Sequence, residues 1–395
     1  MTTKILANRS CAVCGGRCCE ALHRMDLAVF GNTSLPNSYQ VVACVDCGFS
    51  YADSDGSQSD YDDYYQYMSK YEDKSLATGS GEFSWEQKRF ESVGRLIDER
   101  VLDRRTDILD IGCANGGLLN ILASRGFRNL YGLDQAAACI REIEARGYSG
   151  YRGGITDLLA LPERRFGVLI LSHVLEHIFD LTLAMRHCIR LLNDDGLVYI
   201  ETPNAAAYGQ FKTVPYYFFD AEHINHFTSR SLANLAGRHG LVVEDLGDKV
   251  ISAAEGVDYP ATWILARKRP GRMPEQLGDD GAKRGILEHL RYSEDSPVHD
   301  RLQALADSGR SIIVWGAGSY TQRLLGHSAL GRCDIRYLID SDKNKWGKRL
   351  RGIQVRGPSD IDDESLLLVI CAAWVGSRIY DQAVNMGLRN PCIVL

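Results

Sequence analysis

The sequence predicts an α/β protein in three parts: a small ribbon of cysteine knuckles, a central doubly wound Rossmann-like sheet, and a second, smaller Rossmann-like sheet. Three observations predict it. Two Cys-x-x-Cys-Gly strings, "CAVCG" and "CVDCG", stand 29 residues apart near the N-terminus. A strand, a glycine turn and a helix follow one another in "TDILDIGCANGGLLNILASRG". The same succession returns in "SIIVWGAGSYTQRLLGH". A chain of 395 residues is long enough for two or three domains, and boundaries at 1–74, 75–270 and 271–395 divide it between these signals.

The knuckles come first. Cys11, Cys14, Cys44 and Cys47 offer two thiolates from each hairpin, and the glycine after each pair permits the tight turn. Two such hairpins complete a closed four-cysteine site, so this part reads as a zinc ribbon with a structural rather than catalytic ion. Cys18 and Cys19 are adjacent and fit no such site. The remaining six of the twelve cysteines are scattered singly, as reduced thiols of a cytoplasmic protein are. The N-terminus carries no apolar core followed by a small-residue cleavage site, which also points to the cytoplasm. No apolar run reaches the ~20 residues of a membrane helix, so no membrane association is expected. The net charge of −6 argues against a large nucleic-acid surface. After the ribbon, a polar stretch holds Tyr61, Tyr64, Tyr65, Tyr67 and Tyr71. It reads either as a helix docking its rings on a neighbour or as a lid over an active site.

In the central part, Ile108–Ile111 is a short, mostly apolar strand, glycines follow, and Leu118, Leu119 and Leu122 keep a helical period. That arrangement brings a ligand close to backbone amides at a helix start. "NLYGLDQ" is a second strand ending in Asp134, placed as an acid that accepts ribose hydroxyls. The third strand, "FGVLILS", runs Phe166 to Ser172, and "GLVYIETPN" is a fourth. At the end of the third strand stands His173-x-x-Glu176-His177, a spelling shared with one class of zinc peptidases. That chemistry needs both histidines on one helical face. His173 falls at the strand-to-helix transition instead, so the peptidase reading is set aside.

"ILDIGCANG", "YGLDQ", "GVLILSHVLEHI" and "LVYIETPN", in this order and spacing, resemble the class I S-adenosylmethionine-dependent methyltransferases over residues 75 to 270. The resemblance implies that the central sheet is a methyltransferase sheet with S-adenosylmethionine as cofactor. Asp110, Gly112, Ala114 and Gly116 form its first motif, with Ala114 where a glycine is commonest. The resemblance implies that Gly112 and its neighbours line the methionine part of the cofactor and that Asp134 holds the ribose. It implies Ile155 and Asp157 beside the adenine, and Ser172 and His173 beside the methionine moiety, with Glu176 and His177 orienting that loop. A base is needed when the acceptor is a hydroxyl or a carbon next to a carbonyl. "FFDAEHINHFT" supplies candidates in His223, assisted by Glu222, and in His226. The competing reading makes this string only the lead-in to the helix that follows.

Between residues 250 and 300, "RKRPGRMPEQLGDDGAKRG" reads as a domain linker. Beyond it, Gly316-x-Gly318 and Asp340 look like half a dinucleotide fold, with Thr321 at the third glycine position weakening the case for a dinucleotide. Ribbon, methyltransferase core and C-terminal Rossmann-like part together are similar to the nucleotide-sugar C-methyltransferases. That similarity implies C-methylation of a ketosugar, with the C-terminal part framing the acceptor rather than working as a dehydrogenase. One departure is Asp220, where that family carries a tyrosine two residues before its Glu-His pair. The alternatives are an O- or N-methyltransferase of another sugar, glycan or natural-product acceptor, an RNA methyltransferase, and a non-catalytic nucleotide-binding scaffold. The partner expected is a small acceptor, a nucleotide sugar, with the chain a monomer or homodimer.

Overall fold

The computed structural model describes residues 3–31, 33–68, 79–157, 163–254, 256–269 and 278–395. The expected boundaries at 74/75 and 270/271 lie outside these residues, as do Tyr71 and the Tyr67 side chain.

The central sheet has seven strands in the order Leu241–Ala254, Val257–Lys268, Leu192–Pro203, Phe166–Ser172, Asp107–Ile111, Asn129–Asp134, Ser149–Arg152. The last five run parallel, and the first two form an antiparallel hairpin along Leu192–Pro203. The inner strands are continuous apolar runs because both faces are covered. Ile108, Val168 and Ile170 pack with Val93, Ile97, Leu118 and Leu122 of the helices Ser84–Arg100 and Gly117–Ser124. Their neighbours Leu109, Leu169 and Leu171 pack with Met185, Cys188, Leu232 and Leu235 of the helices Leu181–Leu191 and Ser229–Arg238. The chain direction of the connections reverses between Asp107–Ile111 and Phe166–Ser172, which opens a crevice at the C-terminal ends of these two strands.

The linker expected over 250–300 is corrected here. Strand continues to Lys268, and Gly281–Glu294 is a helix. Its Ala282, Ile286 and Leu290 pack with Ala205 and Tyr208 just after Leu192–Pro203. Gly256 sits at the hairpin turn, and Pro260 pairs with Val250 within the hairpin.

The N-terminal sheet is antiparallel: Thr3–Leu6, Cys18–Asp26, Ser38–Cys44 and Ser50–Asp53, completed by Asn225–His226 from far along the chain. The polar tyrosine-rich stretch forms the helix Gln58–Met68, and Tyr61 is buried against Phe179. The C-terminal sheet has the order Arg349–Leu350, Ile353–Arg356, Asp334–Ile339, Ser311–Trp315, Leu367–Ile370, Cys392–Val394. Only the first pair is antiparallel.

The first and third sheets also touch each other. Asp26 N–H donates to His327 Nε2 (2.8 Å), and Ala28 N–H donates to the Gln322 carbonyl (3.1 Å). Ala28 and Phe30 join the C-terminal core. Backbone meets backbone here: a Cβ on Gly326 would come within 1.7 Å of the Asp26 carbonyl oxygen. No helix among the described residues is long and apolar enough to cross a membrane.

Candidate active site

The glycine turn after Asp107–Ile111 carries Gly112, Ala114 and Gly116 in left-handed conformations. Ala114, at φ 45°, holds a conformation costing an L-residue roughly 1 kcal/mol. The turn is braced from outside by Gly79, whose carbonyl accepts Gly117 N–H (2.8 Å). Glu86, itself buried, in turn accepts the N–H groups of Gly79 (2.5 Å) and Gly81 (3.1 Å). Asp134 stands at the end of its strand and accepts N–H from Ala114 (3.0 Å) and Ala136 (2.9 Å). Asp110 is buried beside it. Burial first, and the Asp134 charge second, push its carboxyl up to about 8.

At the end of Phe166–Ser172 the chain turns through His173, also left-handed at φ 57°. Its N–H donates to the Glu201 carbonyl (2.8 Å), and its ring bridges Glu176 (3.0 Å) and Glu201 (3.2 Å). Burial opposes an imidazolium there, but the hydrogen bond to Glu176 and the Glu201 carboxylate beside Nε2 outweigh it and His173 is raised. Lys249 and Tyr199 both bind Glu201 from the other side. The H-x-x-E-H string is therefore split. His173 points into this charged bridge and His177 toward His223, while Glu176 serves both, the ligand atoms of Glu176, His177 and His223 lying within 4.8 Å of one another.

The segment Phe218 to His226 is stitched to that turn. Ile224 N–H donates to the Glu176 carbonyl (2.9 Å), and the Asn225 side-chain amide donates to the carbonyls of Leu175 (2.9 Å) and Ile178 (2.7 Å). Phe218 and Phe219 are fully buried, so Glu222 and His223 are turned the other way. Tyr64 donates to Glu222 Oε1 (2.7 Å) and Tyr65 to Oε2 (3.2 Å). The Tyr65 hydroxyl also meets His177 Nδ1 at 2.7 Å, and the rings of His177 and His223 touch edge-on, centroids 4.7 Å apart. Burial, then the Glu222 charge, hold both phenols well above their ordinary range, so they remain donors.

A single cavity of about 730 Å³ collects these groups. Its walls include Asp110, Gly112, Ala114, Ser172 and His173; then Tyr64, Tyr65, Glu176, His177, Glu222 and His223; then Gly318, Ser319, Gln322, Lys345 and Lys348 of the C-terminal part. Asp134, Gly116, Ile155 and Asp157 do not line it. Ile155 is buried with its carbonyl on His187 Nδ1 (2.6 Å), and Asp157 is exposed. His226 is not brought to the cavity either. It is fully buried between Tyr208 and Phe219, and burial presses it down to about 3. Tyr64, Tyr65 and His177 complete the cluster; their only signal in the sequence was the tyrosine-rich stretch and the Glu-His string.

Two further sites complete the inventory. Asp340 receives N–H from Ala317 (2.8 Å) and Asp342 (2.9 Å) and the Lys345 ammonium (3.0 Å), which leaves it a braced turn rather than a free ribose acceptor. Cys11, Cys14, Cys44 and Cys47 converge, with Sγ···Sγ distances of 3.5 Å (Cys11 to Cys47) and 3.4 Å (Cys14 to Cys44). Tetrahedral thiolates around zinc sit ~3.8 Å apart, given Zn–S of about 2.3 Å. Each knuckle closes by an N–H bond, Gly15 to the Cys11 carbonyl and Gly48 to the Cys44 carbonyl. Both glycines adopt left-handed φ (87° and 78°), as the turn demands.

Residues 85–246 match the family model "Methyltransferase domain", and residues 308–394 match "C2185-like, N-terminal". The chain is 24% identical to the C-methyltransferase NovU of Streptomyces niveus over 263 residues, 63% of this chain and 61% of that one. It is 33% identical over 115 residues to a ubiquinone biosynthesis O-methyltransferase of Pseudomonas fluorescens, 27% of this chain and 49% of that one. A solved 1,6-didemethyltoxoflavin-N1-methyltransferase of Burkholderia thailandensis is 17% identical, with TM-score 0.40, covering 57% of this chain and 97% of that one. The chain thus spans less than two thirds of the length of these two curated relatives. Set beside the glycine turn and the strand order, the family match identifies residues 85–246 as a methyltransferase domain of the class I, S-adenosylmethionine-dependent type.

Proposed function

We propose that the chain methylates a carbon of a ketosugar carried on a nucleoside diphosphate, with S-adenosylmethionine as donor and a structural zinc on the four cysteines. One observation carries the reading. The Glu222–His223 pair shares one cavity with the cofactor-side residues Asp110, Ser172 and His173, and the third wall of that cavity is a glycine turn with Lys345 and Lys348. A proton acceptor beside a methyl-donor site is what such an acceptor requires, and Lys348 together with Lys345, which is paired with Asp340 and Asp342, stands on the wall where a diphosphate would lie. The name of the Streptomyces relative supports carbon as the atom methylated. O- or N-methylation of another acceptor is the competing reading.

The chain's residues fit the donor. Asp110 is a buried carboxyl facing the cavity without a full counter-charge, and a cationic ligand supplies one. When bound, S-adenosylmethionine supplies an electrophilic methyl, so the protein's task is orientation and proton management. In this reading His223 takes the proton from the carbon next to the acceptor's carbonyl. Glu222, fixed by two phenols, stabilises the imidazolium that forms, and His177 donates toward the oxygen that gains charge.

The test is proton exchange. With S-adenosylhomocysteine in place and a panel of nucleoside-diphosphate 4-ketosugars in deuterated water, carbon methylation requires washout of the hydrogen next to the carbonyl, seen by proton NMR. Methylation of an added sugar without any washout would assign the acceptor atom to oxygen or nitrogen instead. Tyr64→Phe and Tyr65→Phe are each expected to slow washout about tenfold, the loss of one hydrogen bond to a charged group. Affinity for the donor, followed by calorimetry, also tests Asp110. The free carboxyl is mostly protonated below about pH 8, while a bound cation favours the ionised form. Binding therefore tightens as pH rises toward 8, by at most about tenfold per unit, and this component is absent in Asp110→Asn.

A further inference from the structure

Asp220 is a charged residue at the start of the turn that presents Glu222 and His223, and it is supported from both flanking sheets. Its Oδ1 accepts the N–H groups of Glu222 (2.9 Å) and His223 (2.8 Å). Its carbonyl accepts the Tyr39 hydroxyl of the N-terminal sheet (2.9 Å). Its Oδ2 faces Arg323 Nη1 at 3.9 Å. Arg323 belongs to the C-terminal helix Ser319–His327, is 1% exposed, and its Nε has no partner among the described residues. Its guanidinium also lies 5.9 Å from the centre of the Tyr217 ring. The same helix lends Ser319 and Gln322 to the cavity wall.

We propose that Arg323 is a positioning residue that holds the Glu222–His223 turn in place through Asp220, tying the base to the C-terminal wall of the cavity. A guanidinium stays charged when buried, and a buried carboxylate needs a counter-charge to remain one. Arg323 on its helix and Asp220 on its turn face each other at 3.9 Å as an ion pair. Burial works against ionising Asp220, while the charges of His223 and Arg323 and the two amide bonds bring it below the ordinary carboxylate range. Without Arg323, the buried carboxylate keeps only His223 as a cationic neighbour, and its grip on the two amides weakens. The turn then loosens at the base and nowhere in the donor site. Ser319 and Gln322 sit on the same short helix, so a ligand seated against them bears directly on the element that carries Arg323.

The geometry does not depend on which acceptor is used; only the kinetic arm of the test rests on His223 as the base. Hydrogen exchange resolved to single amides, on full-length wild type and Arg323→Met, decides it. Exchange at Glu222 and His223 is expected to rise about tenfold, while the strand Phe166–Ser172 is unchanged and Arg323→Lys recovers at least half of the protection. In the kinetic arm, washout falls by a similar factor with donor affinity unchanged. Wild-type protection at both amides in Arg323→Met, or a loss spread equally over the central sheet, overturns the proposal. Should Arg323→Met fail to fold by its melting profile, Asp220→Asn is read in the same way, with unchanged protection again counting against it. Absence of turnover on every ketosugar tested touches the proposed function and leaves the exchange result standing.

Discussion

His223→Ala is expected to lower turnover by about a thousandfold, the range in which removal of a positioned base falls, with affinity for S-adenosylmethionine unchanged. The separation follows from the geometry. His223 lines the cavity alongside His177 and beside the Tyr64–Tyr65–Glu222 cluster, while the glycine turn and Asp134 are held by bonds that do not involve it. Glu222→Gln is expected to cost less, because the two phenols still find an acceptor on the amide oxygen. His226→Ala makes the contrast. Its ring fills a site between Tyr208 and Phe219, so its loss is expected to cost about 2 kcal/mol of stability and leave the chemistry in place. Equal turnover in His223→Ala and wild type would remove His223 from the mechanism and leave His177 and His173 as imidazoles on the cavity wall.

Metal removal is expected to have the second large effect, and it reaches the active site. Structural zinc in small domains contributes an apparent ~10–16 kcal/mol at neutral pH, as large as the ~5–15 kcal/mol net stability of a typical domain. The strand Ser50–Asp53 follows directly on the second knuckle and pairs with Asn225–His226. Arg9, just before the first knuckle, donates to the carbonyls of Ala52 (2.7 Å) and Phe179 (2.6 Å). Chelation, or Cys44→Ser, is therefore expected to lower the melting temperature by more than ten degrees and to abolish turnover, with metal analysis giving one zinc per native chain. A metal-free protein that melts and turns over normally would reduce the four cysteines to packed thiols.

What could be read from the sequence was what local chemistry dictates. Ile108–Ile111 and Phe166–Ser172 are buried on both faces, so their apolar runs declare them. The knuckles declare themselves because the two Cys-x-x-Cys-Gly spacings set two tight turns, and their four sulfurs converge. The end of the hairpin Leu241–Ala254 and Val257–Lys268 fell within the expected linker because glycine, proline and charge crowd the chain from Arg267 onward, and its edge strand, alternating half-buried and exposed residues, gives little apolar signal. Glu222 and His223 stood out as a charged pair between phenylalanines. The phenols that hold Glu222 come from 157 and 158 residues away, and Arg323 from a helix of the C-terminal part, distances over which no periodicity carries information. The difference between His223 and His226 was equally hidden: they lie three residues apart, and only the pairing of His226 with Ser50 turns one toward solvent-accessible space and the other into the core.

The contact between Gly326 and the Asp26 carbonyl, with the bond from Asp26 to His327, makes the chain a closed circuit in space. Such a circuit constrains modular exchange. A C-terminal part taken from another protein, grafted to change the acceptor, must bring a residue without a Cβ to face Asp26 and an imidazole nitrogen to receive its N–H. Otherwise the ribbon is displaced, and with it the strand at 225–226 that anchors the turn carrying the base. Recombination at a boundary in the 270s is therefore expected to succeed only when residues 18–31 travel with the C-terminal part.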